Sequence, residues 1–371
     1  MSGSLLRASV RHMVEFSLRS GDLLPASAAA MQEGSRAHRA RQKDAEAVSE
    51  RPVRWQGVCD GVQADIQGRI DLLWENAGIP CVDELKLCAA AGPLPDAAVP
   101  VHRMQAVCYG FMLCEELALS QIQVRVSYVA EDGTVRAQFE ELLSRAEAEE
   151  LFFSMLRPLV RFHAMQTAYL EKRNETLQAL AFPYPDYRPG QREMAVQVYT
   201  AIDRKKRLFA TLPTGTGKSA ATLFPALKAL GEGKTRQVFY LTARGTAQLA
   251  ALDAIARMQE QELALRTVII TAKEKRCPCP GTRCHPDACS RAKGYYDREL
   301  PALLAACGAE SWSEDSLSVL CEEHQLCPFE FSLALCEISD VVICDYNYVF
   351  DPIVSLKRNR SGRSGLRITN P

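Results

Sequence analysis

The spacing of apolar positions changes several times along the chain, and each change predicts a different kind of element. Residues 1–50, including the stretch VRHMVEFSLRSGDL, read as helices separated by a polar turn at Ser20-Gly21-Asp22. From Val58 to Leu87 the runs shorten to VCDGVQADI, GRIDLLWE and PCVDELKL, which predict strands with Gly68 and Gly78 marking the turns. A helix is expected from about His102 to Ala118. After it come two strands, QVRVSYVA and TVRAQFEE, joined by Glu131-Asp132-Gly133, an Asp-Gly hairpin signal. A long helix from about Ser144 to Leu180 closes this half. Three prolines between Phe182 and Gly190 mark a linker. The second half opens with a helix from Gln191, then a strand LFATL, a Gly-rich turn, a helix, the strand QVFYLT and another helix. This pattern returns at ISDVVICDY, and strand alternating with helix predicts a parallel α/β sheet. The fold class is therefore α/β throughout.

Composition narrows the class. Of 371 residues 47% are hydrophobic, and 44 basic against 45 acidic side chains leave a net charge of −1. That excludes a polybasic, histone-like binder while permitting a local basic groove. No uncharged apolar run reaches the 18 or so residues of a membrane helix, and no signal peptide opens the chain, so a cytoplasmic protein is expected. Nine of the 14 cysteines lie between Cys277 and Cys344, which in a reducing compartment points to metal or a cluster rather than to disulfides. The last fifteen residues carry five basic and no acidic side chains and read as a disordered tail.

Two stretches carry chemistry. In TLPTGTGKS, Thr214, Gly215, Thr216 and Gly217 form a turn whose backbone N–H groups can cradle phosphates. Lys218 offers positive charge to the β- and γ-phosphates of ATP, and Ser219 a hydroxyl to Mg²⁺. Leu212 stands where the strict pattern has glycine. In the first half Asp71 ends one strand candidate, and Glu84 and Lys86 project from one face of the next. Two carboxylates for Mg²⁺ and a lysine to orient or activate water are what phosphodiester hydrolysis needs.

The phosphate loop resembles that of superfamily 2 helicases. Tyr187-Arg188-Pro189-Gly190-Gln191 resembles their adenine-reading Q motif, which implies Arg188 and Gln191 at the base. Tyr240 to Thr246 resembles motif Ia, which implies Thr242 and Arg244 on the DNA backbone. The Cys-rich insertion and the phrase DYNYVFDP resemble the XPD/DinG iron–sulfur helicases. That resemblance implies a [4Fe–4S] cluster on Cys277, Cys284, Cys289 and Cys327, an insertion over about 272–332, and 5′→3′ movement on single-stranded DNA in repair or replication. Cys279 is an alternative to Cys277, and a structural zinc an alternative to the cluster. The first half resembles the RecB-type PD-(D/E)xK nucleases. Gln105 and Tyr109 match their Q-x-x-x-Y, with DNA or the active site in reach, and Glu33 to His38 matches an upstream motif that implies His38 as a further metal ligand.

The expected organisation is a nuclease-like domain over 1–178, a linker over 179–186, an ATP-binding RecA-like domain over 187–356, incomplete before its DEAH box, and a tail over 357–371 from a truncation or frameshift. The expected activity is that of an ATP-dependent DNA helicase fused to a nuclease-like domain, in a form unable to unwind. Two alternatives stand beside it: a non-catalytic DNA-binding or assembly module with an inactive nuclease fold, and a stand-alone nuclease with an Fe–S accessory domain.

Overall fold

The computed structural model describes residues 5–23, 47–76, 78–88, 92–213, 215–243, 245–350 and 366–370. The chain divides into two compact units, Met1–Ala164 and Met165–Pro371.

The first unit begins with β1 (Leu6–Ser9) and α1 (Val10–Leu18), where the Ser9 hydroxyl caps the helix by accepting the His12 N–H. β1 was not among the expected elements, because four residues before a helix are too few for a period to show. β2 (Val48–Cys59) and β3 (Val62–Asn76) form a long hairpin turned at Asp60-Gly61, whose φ values are 46° and 80°. This Asp-Gly lies inside the run VCDGVQADI, and it is the turn. Gly68, expected as a turn, lies in mid-strand instead. β4 (Ile79–Leu87), α2 (Pro100–Leu117), β5 (Gln121–Val129), β6 (Val135–Ser144) and the start of α3 (Arg145–Ala179) follow as expected.

The sheet runs β1-β3-β4-β5-β6, with β2 on β3. β2 takes one edge of β3 over Val62–Leu73, so β1 and β4 share the other: β1 pairs with Ala64–Gln67 and β4 with Leu72–Asn76. Between them Gly68 to Asp71 pair with neither β1 nor β4, a fork in the sheet. The fork is also kinked. Glu50, facing Asp71, has φ 58°, and the β2–β3 register passes from Ser49↔Leu72 to Arg51↔Ile70 without pairing the residues between. α2 packs over the sheet and buries Met104 to Cys114 without a break, joined in the core by Val10, Met13 and Phe152.

In the second unit come α4 (Gln191–Asp203), α5 (Lys218–Gly231), β7 (Val238–Thr242), α6 (Gly245–Gln259), β8 (Thr267–Ile270), the short α7 (Lys273–Arg276), α8 (Tyr295–Cys307), α9 (Glu314–Glu323), α10 (Pro328–Leu335), β9 (Val341–Asp345), the short α11 (Asn347–Phe350) and β10 (Leu366–Asn370). The sheet is parallel in the order β10-β7-β9-β8. β7 is buried along its whole length, as a strand covered on both faces must be.

Two expectations fail here. Residues 206–213, which contain LFATL, form no strand, and the Phe209 side chain is 93% exposed. The tail supplies a strand instead: β10 pairs with β7 in parallel from Leu366↔Val238 to Asn370↔Thr242. With β9 on one edge and β10 on the other, β7 has no edge left for LFATL. The alternation in LRITN is the pattern of a strand, hidden in the sequence by the basic, Gly/Ser-rich stretch before it.

A buried polar node ties this unit together. The Asp340 carboxylate accepts from the Arg173 guanidinium at 2.7 Å, the Arg266 N–H at 2.9 Å and the Tyr169 hydroxyl. The fully buried Arg266 guanidinium lies 3.5 Å over the Tyr169 ring and donates to the Cys307 and Ala309 carbonyls. Among the described residues no helix is long and apolar enough to cross a membrane.

Candidate functional site

The fork in the first sheet brings together the residues the sequence singled out. Asp71 sits where β3 and β4 part, and its carboxylate accepts the Leu85 N–H at 2.9 Å in place of a backbone carbonyl. Glu84 and Lys86 lie on the face of β4 that looks to α2, while Leu85 faces the other way into a small cluster with Leu72 and Val129. The Lys86 ammonium donates to Glu84 Oε1 and to Gln105 Oε1, each at 2.7 Å. Glu84 is 6% exposed and Gln105 2%, so the lysine is held by two largely dehydrated partners.

Tyr109, one turn beyond Gln105 on α2, lies across Gly68. A Cβ at Gly68 would stand 2.3 Å from Tyr109 Cε1. Burial raises the Tyr109 phenol above its ordinary range, and the negative charges of Glu84 and Asp71 add to the shift. The two carboxylates therefore act on one point.

Two residues that the sequence reading passed over belong to the same place. Arg11 on α1 is bonded to Glu15 at 2.6 Å and also feels the charges of Glu84 and Tyr109. His102 precedes Gln105 by three residues, so His102, Gln105 and Tyr109 form a stripe along α2. Burial lowers its pKa to about 4, helped by the positive charges of Lys86 and Arg11. The spacing H-x-x-Q-x-x-x-Y was the signal available for His102; nothing in sequence marked Arg11, which arrives from a distant helix. His38 lies outside the described residues. Among the described residues no three His, Cys, Asp or Glu side chains are gathered as ligands of one ion. Asp71 and Glu84 are the two carboxylates of the fork, Asp71 bonded to the Leu85 N–H and Glu84 to Lys86.

In the second unit the phosphate loop ends in Gly217, φ 73°, which caps α5, and Gly215 has φ 80°. Gln191 is buried and joins two segments: its Oε1 accepts the Arg188 N–H at 3.0 Å, and its Nε2 donates to the Gly217 carbonyl at 3.2 Å. The Arg188 guanidinium donates to the Gly215 carbonyl. Lys218 Nζ bonds the Leu212 carbonyl at 3.0 Å, Thr216 bonds the Pro213 carbonyl, and Ser219 meets the Tyr240 hydroxyl at 3.1 Å. Thr214 and Arg244 lie outside the described residues. Thr242, expected on DNA, is fully buried, and among the described residues its hydroxyl has no hydrogen-bond partner.

In the cysteine insertion Cys279 lies within hydrogen-bond reach of Cys289. Burial raises the Cys279 thiol, and its charge interaction and hydrogen bond with Cys289 add to this, as does Cys277 close by. Cys327 stands before α10, where burial raises its thiol and the backbone N–H groups of Glu330 and Phe329 oppose the rise. Lys273 bonds Glu330 at 3.0 Å and faces both Cys284 and Cys327. Among the described residues no three of these sulfurs are gathered as ligands of one ion.

Residues 270–363 match the DEAD_2 family model. A segment of 46 residues is 44% identical to a probable ATP-dependent helicase of Methanocaldococcus jannaschii, and this segment is 12% of the chain and 7% of that helicase. The chain thus spans only a small part of the curated relative it matches. The crystal structure of SSO0001 aligns with 41% of this chain and 75% of its own, at 19% identity and a TM-score of 0.29.

Proposed function

We propose that this chain carries the ATP-binding part of an iron–sulfur DNA helicase joined to a metal-dependent nuclease domain. The observation that carries the helicase reading is the double bond of Gln191, which ties the Arg188 turn to the phosphate loop at Gly217. A base held at Arg188 and Gln191 would be registered against phosphates held by the N–H groups of Gly215, Gly217 and Lys218 at the start of α5. To meet a γ-phosphate, Lys218 exchanges the Leu212 carbonyl for phosphate oxygen, and Ser219 exchanges Tyr240 for Mg²⁺. The thiolate set for the cluster is Cys284, Cys289 and Cys327 with Cys277 or Cys279. The partner is DNA with a single-stranded part, and repair or replication the setting. Purified anaerobically, the chain should contain iron and hydrolyse ATP, with hydrolysis stimulated by single-stranded DNA and lost in Lys218→Ala. Normal turnover in that variant would sink the reading.

The fork supports nuclease chemistry as a second activity. Asp71 and Glu84 would hold a divalent cation, which when bound supplies positive charge to a phosphodiester. Lys86, restrained by Glu84 and Gln105, is placed to orient a water, and Tyr109 and Gln105 to position the strand. Metal-dependent cleavage of labelled single-stranded DNA, lost in Asp71→Asn and Lys86→Ala but retained in Lys218→Ala, is the test. An inactive wild-type chain would leave the fork a binding site.

A further inference from the structure

The hydrogen bonds around His102 favour one tautomer. The Tyr128 hydroxyl accepts the Val99 N–H at 2.9 Å and lies 3.1 Å from His102 Nδ1. A phenol has one proton and two lone pairs. With the Val99 N–H on one lone pair, the acceptor within reach of the Tyr128 proton among the described residues is Nδ1. That assignment leaves Nδ1 unprotonated and puts the ring proton on Nε2, at the ring edge away from Tyr128.

The location matters as much as the tautomer. Tyr128 on β5 is the register partner of Lys86 on β4, and the His102 and Tyr128 rings lie 5.7 Å apart between centroids. His102 shares the α2 stripe of Gln105, the acceptor of the Lys86 ammonium. Neighbouring positive charges on Lys86 and Arg11, together with burial, keep the imidazole neutral.

We propose that His102 is a further functional residue of the fork, donating an Nε2–H hydrogen bond to a non-bridging oxygen of the phosphodiester under attack. The inference rests on the nuclease reading of Asp71, Glu84 and Lys86. In the step it serves, the water oxygen bonds phosphorus, the bond from phosphorus to the leaving sugar oxygen breaks, and the protons of the water end on the two products. His102 keeps its proton throughout and strengthens its hydrogen bond as charge grows on the oxygen. The substrate class is a nucleic-acid strand, read through its phosphate and not its base.

The test compares two amide replacements that remove the ring equally. A glutamine amide reaches the place of Nε2, and an asparagine amide reaches only that of Nδ1. Cleavage of a labelled single-stranded oligonucleotide with Mg²⁺ is measured for wild type, His102→Asn, His102→Gln and Tyr128→Phe. The expected result is a fall in kcat on the order of 10²-fold for the Asn variant, with KM changed far less. The Gln variant should recover most of the rate, and Tyr128→Phe should show a smaller fall. Equal rates for Asn and Gln, whether both high or both low, overturn the donor role and leave the nuclease reading intact. A wild-type chain that does not cleave at all overturns the nuclease reading and this inference with it.

Discussion

Gly68 and Gly217 invite comparison, because at each a functional side chain occupies the space a Cβ would need. At Gly68 the intruder is the Tyr109 ring, 2.3 Å from the Cβ position; at Gly217 it is Gln191 Nε2, at 2.5 Å. The backbones differ. Gly68 lies within the extended strand β3, where any residue could adopt the conformation, so space alone demands glycine, taken by the ring and by Val10 Cγ2 at 3.2 Å. Gly217 has φ 73° as well, so both conformation and space demand it. The first site is built from side chains on strands and a helix that satisfy one another. The second is a loop held by side chains bonding to its carbonyls, and ligands must compete with those bonds.

The largest effects should follow from the groups that meet in the fork. Asp71→Asn, or Lys86→Ala, should lower DNA cleavage by roughly 10²–10⁴-fold while ATP turnover is unchanged; parallel loss of both activities would break the separation of the two sites. Next comes the scaffold of the second unit. Asp340→Ala leaves the buried Arg173 without its partner, and urea unfolding of that unit should show a loss of about 3–5 kcal/mol. A loss well under 1 kcal/mol would show that the node is not what orders the unit.

The two glycines make a finer test. Gly68→Ala should cost about 1–3 kcal/mol of stability and impair cleavage, since Tyr109 must move. Gly217→Ala should weaken binding of a fluorescent ATP analogue by about tenfold or more, the 1–3 kcal/mol of a strained left-handed residue. Should Gly68→Ala leave cleavage untouched, Tyr109 is packing and not part of the site. The smallest effect is on pH. His102, with its pKa lowered to about 4 by burial, Lys86 and Arg11, takes up a proton in the unfolded chain before it does in the folded one. Folding stability should therefore fall as pH drops from about 6.5 to 4, and His102→Gln should flatten that part of a Tm–pH profile.

Much of the first site was legible because its chemistry follows strand and helix periods. Glu84 and Lys86 differ by two in a strand, and Gln105 and Tyr109 by four in a helix. The kink at Glu50 and the fork left between β1 and β4 were not legible, since both depend on which strands share an edge. The Asp60-Gly61 turn was missed although its signal was present, because the apolar residues on either side were read as one run. In the second unit the loop was legible by composition, and Gln191 by its motif. LFATL was misread, because its pattern fits a strand but a strand also needs a free edge, and β10 and β9 occupy both edges of β7. Thr242 shows the same limit: a hydroxyl at the end of a strand reads as a contact, yet the structure buries it.

The pairing of β10 with β7 also sets an order in time. The sheet of the first unit is complete once residue 144 has been made, and the unit itself ends at Ala164. The second sheet receives its edge strand only with residues 366–370, about 200 residues later. At the 5–20 residues per second of synthesis, that interval is roughly 10–40 s. From the completion of β7 at residue 242 about 120 residues, or roughly 6–25 s, pass before β10 is made, and LFATL is already available to pair with β7. Which of two strands closes this sheet on the ribosome is thus a matter of arrival as well as of affinity.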